Sequence, residues 1–382
     1  EIASCLVGSE MCIRDRESPY IKRNLFVYEA YNNGRYTLEE KKEMFPHLFN
    51  ALSIVIPVLS STFAAVGRFL KHAGNESLGM LVVDEAGQAI PQSALGAIYR
   101  TKQAIIVGDP LQVEPVVTIP RVLIDILADS VGVESKYKVI ENSVQTFADC
   151  INEFNGMIGE RQVGCPLVVH RRCIEPMFSI SNMISYDNRM FNMTNKKEEY
   201  LKEEQPFLLK KSGWIDVVGP ENGRKNHFVK NQAEKVCQLL EQAVEIYDNL
   251  FERDECIFII TPFRTVAESM RSFVNDYFRN KGYDRDCLIS WTKKCIGTVH
   301  TFQGKGANEV LFVLGCSKMS VGAMNWVVKK ANILNVAVTR AKYRIGFIGD
   351  MQDWKKLKYF REFIPYLIDE IQVDDSSCLF TS

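Results

Sequence analysis

Apolar residues along the chain fall into two patterns. Short continuous runs occur at Met80-Leu81-Val82-Val83, Ala104-Ile105-Ile106-Val107, Trp214–Val218, Cys256–Ile260, Ile296–Val299, Val310–Leu314 and Tyr343–Ile348. They read as strands, the first two as parallel strands buried in a sheet. Between them, apolar residues recur three or four apart. Gln232–Tyr247 carries Ala233, Val236, Leu239, Leu240, Ala243, Val244 and Tyr247 on one face, and Val266, Met270, Phe273, Val274 and Tyr277 form a second stripe; both predict amphipathic helices packed on a core. Ile119–Leu127 after Pro120, Phe63–His72 and, more weakly, Ser143–Phe154 predict further helices. A helix around Thr37–Phe49 opens with a capping box, Thr37 and Glu40. Ser53–Leu59 is expected to be a strand. Strand and helix alternate at the intervals of a parallel sheet with crossovers, which sets the class as α/β. Gly156, Gly159 and Gly164 mark flexible backbone and a boundary. The expected organisation is a leader over 1–17, a first unit over 18–160, a second over 161–375 and a tail over 376–382.

Composition narrows the class. With 46% apolar and 24% charged residues, 382 residues suffice for two globular α/β domains. A net charge of −1 argues against a surface that is basic overall, so any nucleic-acid site is a local groove. Pro57 and Ser60-Ser61-Thr62 interrupt the most apolar run, Ala51–Gly67, so no membrane span is expected. The 11 cysteines contain no Cys-x-x-Cys pair and the five histidines form no zinc pattern. This points to reduced thiols in the cytoplasm, or in the nucleus for a eukaryotic source. Cys5–Arg16 resembles translated sequencing-adapter sequence, so the chain is expected to be a fragment joined to a foreign leader.

The chemistry gathers at the ends of the apolar runs. The first ends in Asp84-Glu85 and the second in Gly108-Asp109-Pro110-Leu111-Gln112. The carboxyl edge of an open α/β sheet is where ligands bind. An Asp-Glu pair there suits nucleotide hydrolysis, with Asp on Mg²⁺ and Glu polarising a water; a plain acidic helix cap is the alternative. The second half offers Arg172 and Arg340, whose guanidinium forks match phosphate oxygens or equally serve as surface ion pairs.

Five strings, Asp84-Glu85-Ala86-Gly87-Gln88, Gly108-Asp109-Pro110-Leu111-Gln112, His170-Arg171-Arg172, Thr301-Phe302-Gln303-Gly304-Lys305 and Asn335-Val336-Ala337-Val338-Thr339-Arg340-Ala341-Lys342, occur in an order that resembles the superfamily 1 helicases. The resemblance is to the branch with the nonsense-mediated-decay helicase and senataxin, and it covers roughly residues 50 to 350. It implies two RecA-like parallel-sheet lobes, the first incomplete, with ATP between them and single-stranded DNA or RNA across the top. By motif match, Asp84 binds Mg²⁺ through water, Glu85 activates water, Gln112 senses the γ-phosphate, Arg172 contacts it, and Arg340 is an arginine finger. Gln303 and Gly304 would line the nucleotide site at the lobe interface. Ser61, Thr62, Pro262, Phe263, Thr298, His300 and Thr301 would touch the nucleic-acid strand, mostly at its backbone.

The chain departs from that pattern in three places. It contains no Gly-x-x-x-x-Gly-Lys-Ser/Thr loop, which in the family precedes the position of Asp84 and cradles the phosphates. Gly306 stands where the family usually has Glu, and His170-Arg171-Arg172 replaces the usual Gln-Tyr-Arg. The leading expectation is therefore part of an ATP-dependent helicase or translocase. The alternatives are an ATPase-inactive nucleic-acid-binding or scaffold protein and, more remotely, a metabolic enzyme.

Overall fold

The computed structural model describes residues 27, 29–112, 114–134, 137–138, 142–158, 161–194, 207–223, 226–302 and 304–368. The expected leader and tail, the charged run Lys196–Glu204 and Gln303 lie outside them. The chain divides into two compact units, Glu1–Pro110 with Glu114–Ile151, and Leu111–Val113 with Asn152–Ser382. Both are mixed α/β and both contain a parallel sheet. Among the described residues no helix is long and apolar enough to cross a membrane.

The first unit begins with α1 (Leu38–Val55). The expected capping box is formed: Thr37 Oγ1 accepts from the Glu40 amide at 3.3 Å and Glu40 Oε2 accepts from the Thr37 amide at 2.7 Å. Phe45, Leu48 and Phe49 pack with Tyr31, Leu70 and Ala73. The strand expected over Ser53–Leu59 is not there. Residues 53–55 extend α1, because the spacing of Phe45, Leu48, Phe49 and Leu52 continues one helical stripe. Pro57 then stops the helix by disfavouring helical backbone at Ile56, which sits at φ −127 and ψ 83.

There follow α2 (Phe63–Phe69), β1 (Leu78–Val83), α3 (Pro91–Tyr99), β2 (Thr101–Ile106), α4 (Arg121–Ser130) and α5 (Val144–Ile151). β1 and β2 pair in parallel from Leu78↔Thr101 to Val83↔Ile106. They are not buried on both faces as the apolar runs suggest. Leu81, Val83 and Ile106 face Ala94 and Val144, whereas Met80 and Val82, on the opposite face, are 58% and 61% exposed. Strand side chains alternate between faces, and the described elements of this unit cover only one of them.

In the second unit β3 (Gly156–Ile158) and β4 (Arg161–Val163) pair antiparallel, so that Gly156, at a stretch expected to be flexible, is paired with Val163, while Gly159 lies outside the described residues. β5 (Val169–His170) leads to α6 (Met177–Ser185) and pairs with β6 (Phe191–Asn192). The main sheet is built from β7 (Gly213–Asp216), α7 (Lys230–Ile246), β8 (Ile257–Thr261), α8 (Arg264–Arg279), α9 (Arg285–Cys295), β9 (Ile296–Thr298), β10 (Ala307–Val313), α10 (Val321–Val327), α11 (Asn332–Arg340), β11 (Ala341–Gly349), α12 (Met351–Trp354) and α13 (Phe360–Ile368). Its order is β7-β11-β10-β8-β9, with every pair parallel. All five residues of β8 are buried, as a strand covered on both faces requires. The two helical stripes read from sequence are core: Val236, Leu239, Leu240 and Ala243 of α7 and Val266, Met270 and Val274 of α8 are buried. α9 is capped by Asp284, whose Oδ1 accepts from the Cys287 amide at 2.8 Å.

β10 carries a carboxylate into the interior. Glu309 Oε2 accepts from the Leu208 amide and from the Tyr247 hydroxyl, both at 2.8 Å, and Oε1 accepts from the Leu209 amide at 2.7 Å. Burial pushes this carboxyl up to about 7, against the pull of its three donors and the Arg344 charge. A raised pKa means that the folded chain holds the proton more tightly than the unfolded chain. The contribution of Glu309 is therefore fullest below its ordinary value of 4.5 and is lost as pH rises through about 7. In urea unfolding, the stability advantage of the native chain over Glu309→Gln is expected to be largest at pH 5 and to shrink by pH 8, by roughly 3 kcal/mol at most. An advantage that grows with pH would contradict this assignment.

Candidate functional site

In the first unit the ends of β1 and β2 lie side by side. The Ala86 amide donates to Val107 O at 2.9 Å and the Val107 amide to Val83 O at 2.8 Å. Two glycines permit the contact: a Cβ on Gly87 would lie 2.8 Å from Asp109 O, and one on Gly108 would lie 2.7 Å from the amides of Ala86 and Gly87. Asp84 is exposed at this edge and its Oδ1 accepts from the Glu85 amide at 2.9 Å. Glu85 is half-buried in left-handed backbone, φ +53, a conformation that costs a non-glycine residue free energy and is concentrated at functional sites. The shared polar edge expected from the sequence is thus formed by Asp84, Glu85 and Asp109. Gln112 belongs to the second unit, where the neighbouring Leu111 carbonyl accepts from Asn335 Nδ2 at 3.0 Å.

The second unit holds an open cavity of about 410 Å³, lined by Arg171, Arg172, Gly304, Lys305, Gly306 and Lys342. Three separate stretches converge there: the turn after β5, the loop before β10 and the start of β11. The pairing Ala307↔Ala341 sets the last two side by side. Four of the six lining residues are cationic and none is acidic. Among the described residues none of the four makes an ion pair with a carboxylate. A concave site with unmatched positive charge and glycine backbone suits an anion with several oxygens, such as a phosphate chain. Gly304 sits at φ +76 with open space around its Cβ position, so glycine is needed there for the turn and not for room.

The arginines are presented by a small turn. His170 Nε2 accepts from the Cys173 amide at 3.0 Å and lies 3.1 Å from Cys173 Sγ. Burial and the Arg172 charge hold this imidazole down at about 4, so it is neutral near pH 7 and its Nε2 is free to accept. Arg171 and Arg172, between the two anchored residues, are exposed.

Arg340 is placed differently from an outstretched finger. Its side chain is buried, 0% exposed. Nε donates to Val336 O at 3.1 Å, Nη1 to Phe302 O at 3.2 Å and to Lys305 O at 3.0 Å, and Nη2 to Thr339 Oγ1 at 3.2 Å. The guanidinium therefore closes the loop around Gly304 from beneath instead of lining the cavity. Gly306 lies against the same residue: a Cβ there would sit 3.3 Å from Arg340 O.

The residues expected at a nucleic-acid strand separate by exposure. Ser61 and Thr62, ahead of α2, are exposed, as are His300 and Thr301, and Thr298 is half-buried with its Oγ1 3.3 Å from that of Thr301. Pro262 and Phe263 follow β8 beside them, through the pairing Thr261↔Thr298. Both are buried, and the Phe263 ring packs on His227 at 4.7 Å and Trp326 at 5.9 Å. The Phe263 ring therefore packs into the core. Arg171, Lys305 and Lys342 lie inside three of the five strings, but the sequence reading assigns them no role; their positive charge beside Arg172, Gly304 and Arg340 is the signal that could have found them.

Two family models, each described as an AAA domain, match residues 22–119 and 153–352. Mouse "Probable helicase senataxin" is 23% identical over 332 residues, 82% of this chain and 11% of the mouse protein. Fission-yeast "Helicase sen1" is 24% identical over 78% of this chain and 16% of its own length, and fission-yeast "ATP-dependent helicase upf1" is 22% identical over 74% and 28%. The chain thus spans a small part of these relatives. Among solved structures, the PRRSV helicase aligns over 72% of this chain and 36% of its own at 12% identity and a TM-score of 0.34. The ordered motifs and the two family matches together place the chain in the superfamily 1 helicases, in the branch that contains senataxin and Upf1.

Proposed function

We propose that this chain is part of an ATP-dependent nucleic-acid helicase or translocase, and that the second-unit cavity receives the phosphates of the nucleotide. The observation that carries this reading is the convergence of Arg171, Arg172, Lys305 and Lys342 on one concave surface without a carboxylate. In the first unit, Asp84 offers a carboxylate oxygen at an exposed strand end, which fits a hydrated Mg²⁺. Glu85 supplies the base that polarises water there, and Gln112 senses the terminal phosphate. Bound Mg²⁺ would neutralise charge developing on the phosphoryl oxygens. Ser61, Thr62, Thr298, His300 and Thr301 offer hydroxyls and a ring to the backbone of a single strand. Arg340 serves this site by holding the loop that carries Gly304 and Lys305.

Replacing Arg172 or Lys342 by Ala is expected to weaken binding of a non-hydrolysable MgATP analogue about tenfold or more, the loss of one charge-assisted hydrogen bond. Isothermal titration reads this, and unchanged affinity in both variants would remove the cavity from the nucleotide site. For the clamp, Arg340→Ala is expected to lower unfolding stability in urea by at least about 1–3 kcal/mol, the cost of leaving buried carbonyl acceptors unpaired; a finger reaching out of the fold would leave stability near that of the native chain. A motor is separated from a binding-only protein by phosphate release stimulated by nucleic acid. Glu85→Gln should abolish that release while nucleotide binding persists, and absence of stimulated release from the native protein would favour the binding-only reading.

A further inference from the structure

We propose that Glu221, His227 and Cys316 form a binding site for one divalent transition-metal ion of the zinc class, separate from the phosphate cavity. One carboxylate oxygen, one imidazole nitrogen and one thiol sulfur lie within 4.8 Å of one another. Mixed oxygen, nitrogen and sulfur donors suit Zn²⁺ and Co²⁺ better than Mg²⁺ or Ca²⁺.

The spacing favours a shared ion over a simple hydrogen bond. His227 Nδ1 lies 3.5 Å from Glu221 Oε2. This nitrogen is buried and has no hydrogen-bond partner. Two ligands of one tetrahedral zinc, with Zn–N and Zn–O near 2.0–2.2 Å, stand about 3.3–3.5 Å apart. The observed separation is long for a hydrogen bond and right for a pair of ligands. The Cys316 sulfur, within 4.8 Å of both, is the third donor and must close toward them as the ion binds.

The backbone around the three residues is fixed in advance. The Cys316 amide donates to His227 O at 2.8 Å, and the Ser317 amide donates to Glu221 Oε1 at 2.9 Å. Glu221 bridges to Val229 across the loop. Gly315, at φ +63, admits His227 O where a Cβ would lie 2.6 Å away. His227 and Cys316 themselves both sit at φ +58, left-handed backbone that costs each of them free energy and that persists where the surroundings impose it. The Phe263 ring packs against the imidazole, 4.7 Å between ring centres.

Charge is consistent with a cation here. The side chains of Glu221 and His227 are 9% and 20% exposed and Cys316 is 2% exposed. Burial pushes the Glu221 carboxyl up, and hydrogen bonds from Ser320 and Ser317 with the nearby His227 bring it below its ordinary value, whereas burial pushes the Cys316 thiol up to about 12. Binding replaces the thiol proton of Cys316, which leaves to solvent, with a sulfur–metal bond. Three protein ligands leave a fourth position for water. The site lies at the carboxyl end of β10, across the sheet from the cavity at the start of β10 and β11.

The test uses the full 382-residue chain, stripped of metal with a chelator and titrated with Co²⁺. The expected result is one equivalent bound with the near-ultraviolet thiolate-to-cobalt absorption band, displaced by Zn²⁺. Cys316→Ser should abolish the band, and Glu221→Gln and His227→Gln should each weaken Co²⁺ binding at least about tenfold. Circular dichroism in chelator checks that each variant stays folded. A folded native chain that shows no band, or a band that survives Cys316→Ser, overturns the proposal. Because the readout needs no nucleotide, it stands or falls independently of the helicase reading.

Discussion

The buried guanidinium of Arg340 is the constraint on which the second-unit site depends. A charge taken out of water is tolerated only when its donors are met. Here they are met by carbonyls of Val336, Phe302 and Lys305 and by the Thr339 hydroxyl. These partners come from α11, from the turn before Gln303 and from the loop into β10. One side chain therefore joins the helix that precedes β11 to the loop that precedes β10. The pairing Ala307↔Ala341 continues the same junction into the sheet. Lys342 and Lys305 reach one cavity because their backbones are tied together at this point.

The parallel sheet sorts the remaining chemistry by edge. With β7-β11-β10-β8-β9 all running one way, loops that enter strands collect at one end and loops that leave them at the other. The cationic cavity gathers at the entering end of β10 and β11. Thr298, His300 and Thr301, and the Glu221, His227 and Cys316 cluster, lie where strands end. The first unit shows the same logic on a smaller scale, with Asp84 and Glu85 delivered beside Gly108 and Asp109 by two paired strands.

Much of this was legible in the residues. Apolar runs located the strands of the main sheet, because a parallel strand buried on both faces is apolar without alternation. The stripes of α7 and α8 read correctly as core, and the capping box at Thr37 is formed. The run ahead of Pro57 misled because a short apolar segment has no periodicity of its own; it extends the stripe of α1. The two strands of the first unit have one open face, which no string of four apolar residues reveals. Arg340 illustrates a different limit: a motif fixes residue type and order, while burial and hydrogen-bond partners depend on what the fold brings around the side chain. Glu221, His227 and Cys316 show the same limit for metal chemistry. Their separation in the chain matches no ligand spacing, and only the loop contacts bring them together.

The central claim is that the cavity ringed by Arg171, Arg172, Lys305 and Lys342 takes the phosphates of a nucleotide. Amide hydrogen exchange with and without a non-hydrolysable MgATP analogue tests it most directly, because the loop amides themselves report contact. Slowed exchange at Arg171–Cys173, Gly304–Gly306 and Lys342 on adding the analogue is the predicted result. Protection confined to other segments, with these amides exchanging as before, would contradict it.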